Sequence, residues 1–530
     1  MRYYKDLREH IEALEKSGKL TRITREINKD TELHPLVRWQ FRGLPEEERK
    51  AFIFENVVDN RGKKYEMPVL VASHAASRDV YAIGMMCSPD EINEKWTKAQ
   101  MNPIPPKLIS DGPVHEEICI GEELRGLGLD KLPVPISTPG FDNAPYTTAS
   151  NWVTKDPETG IRNIGNYRGQ IKAKDRMGVF VQPTQHIGMH WAKCKERGIP
   201  LEAAAVIGAS PAIGFTAVAK IPYGIDEYSI AGGIAGEPIE LVKCKTVDIE
   251  VPASAEIVIE GRISTEYLEP EGPFGEYTGY IGGVINHPYF EVTCITHRKK
   301  PIYNAFISQF PPSESSKIRQ IAFNATLYKF LKHDCSIPSV MEVVFHESGG
   351  SWQFVVIQMR NVNPAQPWQA LQAASGFEAS MGKVMIVVDE DIDPWDPDSI
   401  NWALSFRMQP QADVRIISGR ASSLDYSAVP PGEASMKGLN FPKPHGSSAL
   451  LINATRKYDY FPVSLPKKEY MERARVIWEE EGLPLLKPRK PWYGYSLGYW
   501  TEENIKEAEL AVKGEYYKTG QKISGRRIKA

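Results

Sequence analysis

Three groups of side chains in this sequence have the types and spacing for chemistry. One is Asn163-Ile164-Gly165-Asn166-Tyr167-Arg168, with an amide and a guanidinium at the two ends of a short run. Seventeen residues beyond Arg168 stands the second, Gln185-His186-Ile187-Gly188-Met189-His190, across a charged turn formed by Lys172, Lys174, Asp175 and Arg176. Together they read as a polar site built on neighbouring strands. The third is a carboxylate cluster in which Gly272-Pro273-Phe274-Gly275 makes a tight turn between Glu271 and Glu276. That turn lets the two carboxylates flank one space, as acid–base chemistry requires. A solvated acidic loop is the competing reading. Glycines that admit another molecule to the backbone, and a phenylalanine that is costly to leave in water, favour the site.

Other patterns point elsewhere. His186 and His190 stand four apart, a spacing that puts two imidazoles on one helical face, but Ile187 occupies the place where a zinc protease needs glutamate. His186 is better placed as a single ligand, at a strand end beside Gln185; taken alone, a satisfied structural histidine is the commoner outcome. Asp389-Glu390-Asp391-Ile392-Asp393 resembles the start of a calcium loop and fails at Pro394 and Ile400. Asp396-Pro397 instead reads as a helix cap. Ala231-Gly232-Gly233-Ile234-Ala235-Gly236 lacks the glycine spacing of a dinucleotide fold.

The elements that must position these groups alternate in kind. Leu7, Ile11 and Leu14 predict an amphipathic helix over residues 4–17, with Gly18 as its stop. Strand-like runs at 20–27, 51–54 and 68–72 alternate with helical segments such as 89–99, giving an N-terminal α/β region over 1–112. Prolines crowd residues 101–147 and predict an extended connection. From 148 to 306 short β-branched runs (179–181, 204–207, 247–251, 256–259, 289–296) predict a small barrel or sandwich with one helix near 188–197, within a central domain taken as 113–310. Helices at 315–332 and 368–375 and buried strands at 340–344, 354–358 and 384–388 predict a second α/β domain over 311–465. Residues 466–530 read as a helical arm, with helices at 469–481 and 502–512, an aromatic turn region (Trp492, Tyr493, Tyr495, Tyr499 and Trp500), and a basic tail. Such an arm would pack on a neighbouring domain or subunit.

Composition narrows the partners. A chain of 530 residues with 42% hydrophobic and 25% charged residues is globular and long enough for two or three domains. Its net charge of −3 gives no basic face for nucleic acid, so a small molecule or the protein itself is the expected partner. The longest uncharged run, Ala203 to Ala219, contains Pro211 and falls short of the roughly 20 apolar residues of a membrane span. The first ten residues mix both charges, unlike a targeting segment. Six cysteines without a C-x-x-C pair argue for reduced thiols. The reading is a soluble, cytoplasmic protein.

In order along the chain, these residues resemble the UbiD-type decarboxylases, which use prenylated FMN. The resemblance is carried by Asp6-Leu7-Arg8, by residues 12–18, by Asn163 with Arg168, and by Gln185-His186. It continues through Val242-Lys243-Cys244-Lys245-Thr246, residues 251–258 with Glu260-Gly261, Glu271 to Glu276, and residues 387–394. The Gln185-His186 pair is more similar to the ferulic-acid-decarboxylase branch than to the quinone-pathway branch.

What the resemblance implies is specific. The fold would be α/β (α+β), with a flavin-reductase-like split β-barrel at the centre and a C-terminal α/β domain with a helical arm. Asn163, His186 and Glu227 would hold a divalent metal, manganese or another ion such as Fe2+ or Mg2+, bridging to the cofactor phosphate. Potassium would bind nearby, around Thr216 to Ala219 with Glu227. Asn163, Ile164, Gly165, Asn166, Tyr167 and Arg168, with Gln185, would line the flavin. Arg168, Glu271 and Glu276 would be catalytic: Arg168 pairing with Glu271 and steadying the substrate carboxylate, Glu276 delivering the proton that replaces carbon dioxide. Decarboxylation also needs an electron sink that no ordinary side chain provides, hence the cofactor. Burial beside Glu271 is expected to raise the Glu276 pKa.

The implied reaction is the reversible, non-oxidative decarboxylation of an aromatic, heteroaromatic or α,β-unsaturated acid, free or as an aromatic acyl-CoA thioester resembling phthaloyl-CoA. Carboxylation is the alternative direction. A flavin prenyltransferase would supply the cofactor, and the chain would form a homo-oligomer, dimer or hexamer. One rival is a flavin reductase, which has no use for Glu271 and Glu276 beside Arg168; another is a structural subunit of a carboxylase complex. The sequence departs from the family at residues 446–455, where a phosphate-contacting lysine is expected and absent. Either Lys437 or Lys443 substitutes, or this face is reshaped.

Overall fold

The computed structural model describes residues 2–360, 363–421, 424–428, 447–486 and 498–529. Trp492, Tyr493 and Tyr495 of the predicted aromatic turn region, and the candidate lysines Lys437 and Lys443, lie outside them. The opening helix runs Leu7–Lys16, capped by the Asp6 carboxylate, which accepts from the Arg8 and Glu9 amides, and it buries Leu7, Ile11 and Leu14 as its period requires.

An N-terminal sheet follows, with strands Leu20–Asn28, Ala51–Val58 and Val69–Val71 in that order. Its last position is filled from far along the chain by Tyr303–Ala305, parallel to Val69–Val71.

The central sheet has nine strands and carries the site. Strand Tyr146–Thr147 stands at one end of the order, and Ser150–Lys155 lies next to last at the other, yet only residues 148 and 149 separate them. Six strand spacings in a flat sheet would be about 29 Å, whereas three residue steps span at most about 11 Å. The sheet therefore curls round on itself in a barrel-like form. Its longest members, Ile257–Glu271 and Ile285–His297, pair antiparallel, and the proline-rich connection adds strand Glu117–Ile120 alongside the second. That connection was predicted to lack regular structure. The alternation Ile118, Ile120 around buried Cys119 is too short to signal a strand without its partner.

The third sheet, Val340–Phe345, Phe354–Met359, Val384–Asp389, Ser448–Ala454 and Val414–Ser418, matches the predicted strands where these were identified. Between it and the rest lies helix Glu314–Lys329. Thirteen of its sixteen residues are buried, so it has no polar face. Ser313 caps it, and the buried Glu314 carboxylate accepts from the Ala72 and His74 amides at 2.9 and 3.0 Å. Lys317 bonds Glu46 and Glu347. This helix is thus pinned to the N-terminal region and to the third sheet at once.

Helices Pro211–Val218 and Glu227–Ala235 had no sequence signal, because the first is buried from Pro211 to Ala217 and shows no apolar stripe. The arm forms helices Lys468–Glu480, Glu502–Val512 and Tyr516–Ser524, none with a buried residue. Among the described residues no helix is long and apolar enough to cross a membrane.

Candidate active site

Strand Arg162–Asn166 pairs with Ser150–Lys155 at the edge of the curled sheet, Asn163 opposite Thr154. Its flanking arginine is fixed: Arg162 donates to Asp226 and Glu250, and Asp226 caps the helix that begins at Glu227. One tertiary lock therefore sets the strand carrying Asn163 against the helix carrying Glu227. Gly165 lets the chain double back, since a Cβ there would stand 2.2 Å from the Tyr167 hydroxyl.

His186 is the first residue of helix His186–Glu196 and not, as the sequence suggested, a strand end before a helix at 188. Gly188 permits the early start, because a Cβ there would meet the Gln182 carbonyl at 2.1 Å. The two histidines part company. His186 Nδ1 lies 3.1 Å from Asn163 Oδ1 and 3.6 Å from Glu227 Oε1. His190 turns to Thr154 Oγ1 at 2.9 Å, and burial lowers its pKa to about 4. His190 is the structural histidine.

Asn163 and Glu227 are 4% and 3% exposed. Burial raises the Glu227 pKa, although its Oε2 accepts from the Ile164 amide at 2.9 Å. The Asn163 Nδ2 is buried with no hydrogen-bond partner. These donors fit a metal shell: octahedral ligands at about 2.1 Å from an ion stand roughly 3.0 Å apart, close to the spacings here. Amide oxygen, imidazole and carboxylate form a mixed shell for a hard or borderline ion. Among the described residues no group of three or more His, Cys, Asp or Glu side chains could hold a metal, and this set contains only two of those.

Arg168 closes the other end. Its Nε and Nη2 donate to Glu271 Oε1 and Oε2 at 2.8 and 2.6 Å, and its Nη1 donates to Glu276 Oε1. Phe180 and Phe274 lie against the guanidinium, with ring centroids 4.2 and 5.0 Å from Cζ. Glu271 and Glu276 are 1% and 7% exposed, which overturns the solvated-loop reading of this turn. Burial raises the Glu276 pKa, Arg168 opposes the rise, Glu271 adds to it, and Arg319 opposes it less strongly. The ion-pair geometry and the pKa direction pull apart, and burial decides the direction.

A cavity of about 630 Å3 joins the two ends, within the range of a small-molecule site. Every residue expected to contact flavin or the divalent metal lines it, from Asn163 to Arg168, with Gln185, His186 and Glu227, whereas Thr216, expected near potassium, does not. Glu276 lines it too, whereas Glu271 stands behind Arg168. Ala217, Val218 and Ala219, at the C-terminal end of helix Pro211–Val218, reach the wall. Phe180, Lys220, Arg319 and Glu378 are among the lining residues that carried no sequence signal. Residues 448–454 form a strand whose Asn453 caps Thr455, and neither lines the cavity.

Three domains of the 3-octaprenyl-4-hydroxybenzoate carboxy-lyase UbiD match the chain: the N-terminal domain at residues 11–100, the Rift-related domain at 107–311 and the C-terminal domain at 318–452. An uncharacterised protein of Aquifex aeolicus is 33% identical over 509 residues, 91% of this chain and 99% of that one. Among solved structures, an evolved dimeric form of the UbiD-class enzyme HmfF from Pelotomaculum thermopropionicum, in complex with prFMN, is similar with a TM-score of 0.75. It is 32% identical and covers 89% of this chain and 100% of its own. Vanillic acid decarboxylase of Sedimentibacter hydroxybenzoicus in its closed form is similar with a TM-score of 0.78 at 26% identity, covering 90% and 100%.

Proposed function

The chain belongs to the UbiD family of carboxy-lyases, and on that premise we propose that it is a prenylated-FMN-dependent decarboxylase of an aromatic, heteroaromatic or α,β-unsaturated acid. The observation that carries the proposal is one cavity with an Arg168–Glu271–Glu276 cluster at one end and Asn163, His186 and Glu227 at the other. The complex of HmfF with prFMN supports the cofactor.

Bound prenylated FMN supplies the electron sink for the pair left when carbon dioxide departs. Asn163, His186 and Glu227 would hold a manganese or similar ion against its phosphate, and carbonyls near Thr216 to Ala219 would serve potassium. The Thr216 carbonyl accepts from the Ala219 amide, so those of Ala217 to Ala219, at the helix C-terminus, are the better placed. Arg168 orients the substrate carboxylate with the Nη hydrogens that Glu271 and Glu276 leave free. Glu271, bidentate behind it, keeps the guanidinium in plane. Glu276, held neutral by burial, gives its proton to the carbon that loses the carboxylate and recovers it from solvent. Run backwards, the same site carboxylates. Gln185 beside His186 on the cavity wall supports the ferulic-acid-decarboxylase branch as the nearer one. The chain assembles as a homo-oligomer, a reading the dimeric HmfF supports.

The test is mass spectrometry of the cofactor released after co-expression with a flavin prenyltransferase, with metal analysis alongside. Prenylated FMN with one equivalent of manganese is the expected result. Plain FMN without metal would overturn it. A screen of free acids beside their CoA thioesters then separates the substrate classes.

A further inference from the structure

We infer that Arg319 is an anchor for a second anionic group on the substrate, distinct from the carboxylate that is lost. This rests on the decarboxylase reading above and narrows its substrate class. Four cationic side chains of lysine or arginine line the cavity: Arg168, Lys220, Arg319 and Lys329. Three are matched. Arg168 is taken by Glu271 and Glu276, Lys220 has Glu378 Oε2 at 3.7 Å, and Lys329 bonds both oxygens of Asp334 at 2.8 and 3.0 Å. Among the described residues Arg319 has no carboxylate within ion-pair distance and no hydrogen-bond acceptor, and Glu276 acts on it only at longer range. Its guanidinium stands over the Tyr277 ring, with Cζ 3.8 Å from the centroid.

The guanidinium is also anchored at its root. Glu314 and Lys317, on the same helix, are bonded to Ala72, His74, Glu46 and Glu347. Little freedom remains to be lost on binding, the condition under which a charged contact yields affinity. A guanidinium held over an aromatic ring, with no bonded acceptor among the described residues, suits recognition of carboxylate or phosphate.

The departing carboxylate is the wrong group for it. Arg168 already orients that carboxylate with its charge offset by Glu271 and Glu276, whereas a cation without a bonded carboxylate would hold the ground state more than the transition state. Arg319, with no bonded carboxylate among the described residues, suits a group that keeps its charge through the reaction. That group is a second carboxylate, as in an aromatic dicarboxylic acid, or a phosphate, as in an acyl-CoA thioester.

Calorimetry on the full chain, co-expressed with the flavin prenyltransferase, separates these cases. The probes are benzoate, the three benzenedicarboxylates, 3-phosphonobenzoate and coenzyme A. At least one dianion binds about tenfold or more tighter than benzoate, the worth of one charge-assisted contact. In Arg319→Gln the ratio of dianion to benzoate affinity falls toward one, and Arg319→Lys recovers part of it. Circular dichroism and the melting temperature establish that both variants are folded. Preference for a dicarboxylate identifies carboxylate as the second group, and binding of coenzyme A that is lost in Arg319→Gln identifies phosphate. A ratio near one in the unmodified protein, or one unchanged in Arg319→Gln, overturns the inference. If the same preparations hold prenylated FMN and decarboxylate monoacids, only the inference falls. If they hold no flavin and turn over no acid, the decarboxylase reading falls and takes the inference with it.

Discussion

The two ends of the cavity are both charged, buried and polar, and they are balanced differently. At the Arg168 end the protein supplies its own cation, shared by Glu271 and Glu276, with two phenyl rings against it. At the Asn163 end a buried carboxylate, an imidazole and an amide converge, and among the described residues no lysine or arginine bonds to Glu227. Burying a carboxylate without a cation costs several kcal/mol in practice. The first cluster has its counter-charge within the protein, whereas the second has none among the described residues, which is the contrast the proposed metal and proton-donor roles rest on.

The comparison breaks first at Glu276. Glu276→Gln lowers turnover by about 10²–10⁴-fold while flavin content, read from absorbance, stays the same; turnover within threefold of the parent sinks the donor role. Next is Arg168→Met, which strands Glu271 in the interior and costs about 3–5 kcal/mol in urea unfolding. Adding Glu271→Gln to that variant recovers most of the loss, since no charge is then left buried. Failure to recover would mean that the pair is not the unit described.

At the other end, Glu227→Gln or His186→Ala lowers manganese affinity by more than the roughly 10–100-fold that loss of an outer partner costs. Elemental analysis after dialysis reads this directly, and full metal occupancy in both variants would remove the assignment. The pH profile is a smaller effect. Because burial raises the Glu276 pKa, its protonated form persists above the ordinary carboxylate range. Turnover is therefore full below the folded-state pKa and falls about tenfold per pH unit above it. The same sign holds for stability: the group's contribution is complete below its unfolded pKa and is lost as pH rises through the folded one. Moving the alkaline limb with Glu276→Asp checks the attribution, and an unmoved limb refutes it. Smallest is Phe274→Leu, which removes one of the two rings against the guanidinium for about 0.5–2 kcal/mol, seen as a lower melting temperature with flavin retained.

Sequence carried the opening helix, most strands and the Glu271/Glu276 pair, because these depend on local period and on a turn whose residues announce it. Pairing of His186 with Asn163 and Glu227 was legible through the resemblance alone, since the three lie on separate elements and no spacing links them. His186 and His190 look equivalent at four residues apart, and only tertiary contact with Thr154 tells them apart. Arg319 left no trace for a related reason. Its helix is buried nearly all round, so hydrophobic period cannot mark which residue faces a cavity. Lys220 and Glu378 come from opposite sides of the wall and meet only after the chain has folded.

Tyr303–Ala305 completes the N-terminal sheet from a position more than two hundred and thirty residues beyond Val71. During synthesis the first hundred residues emerge with strand Val69–Val71 as an open edge, and the clasp from Glu314 arrives later still. The nascent N-terminal region therefore waits on the ribosome for the whole central sheet before it can close, and it is exposed to strand pairing with other chains until then. A gene cut between these regions yields a fragment with an unpaired edge rather than a separable domain, so recombinant work on this protein is best done with the chain intact.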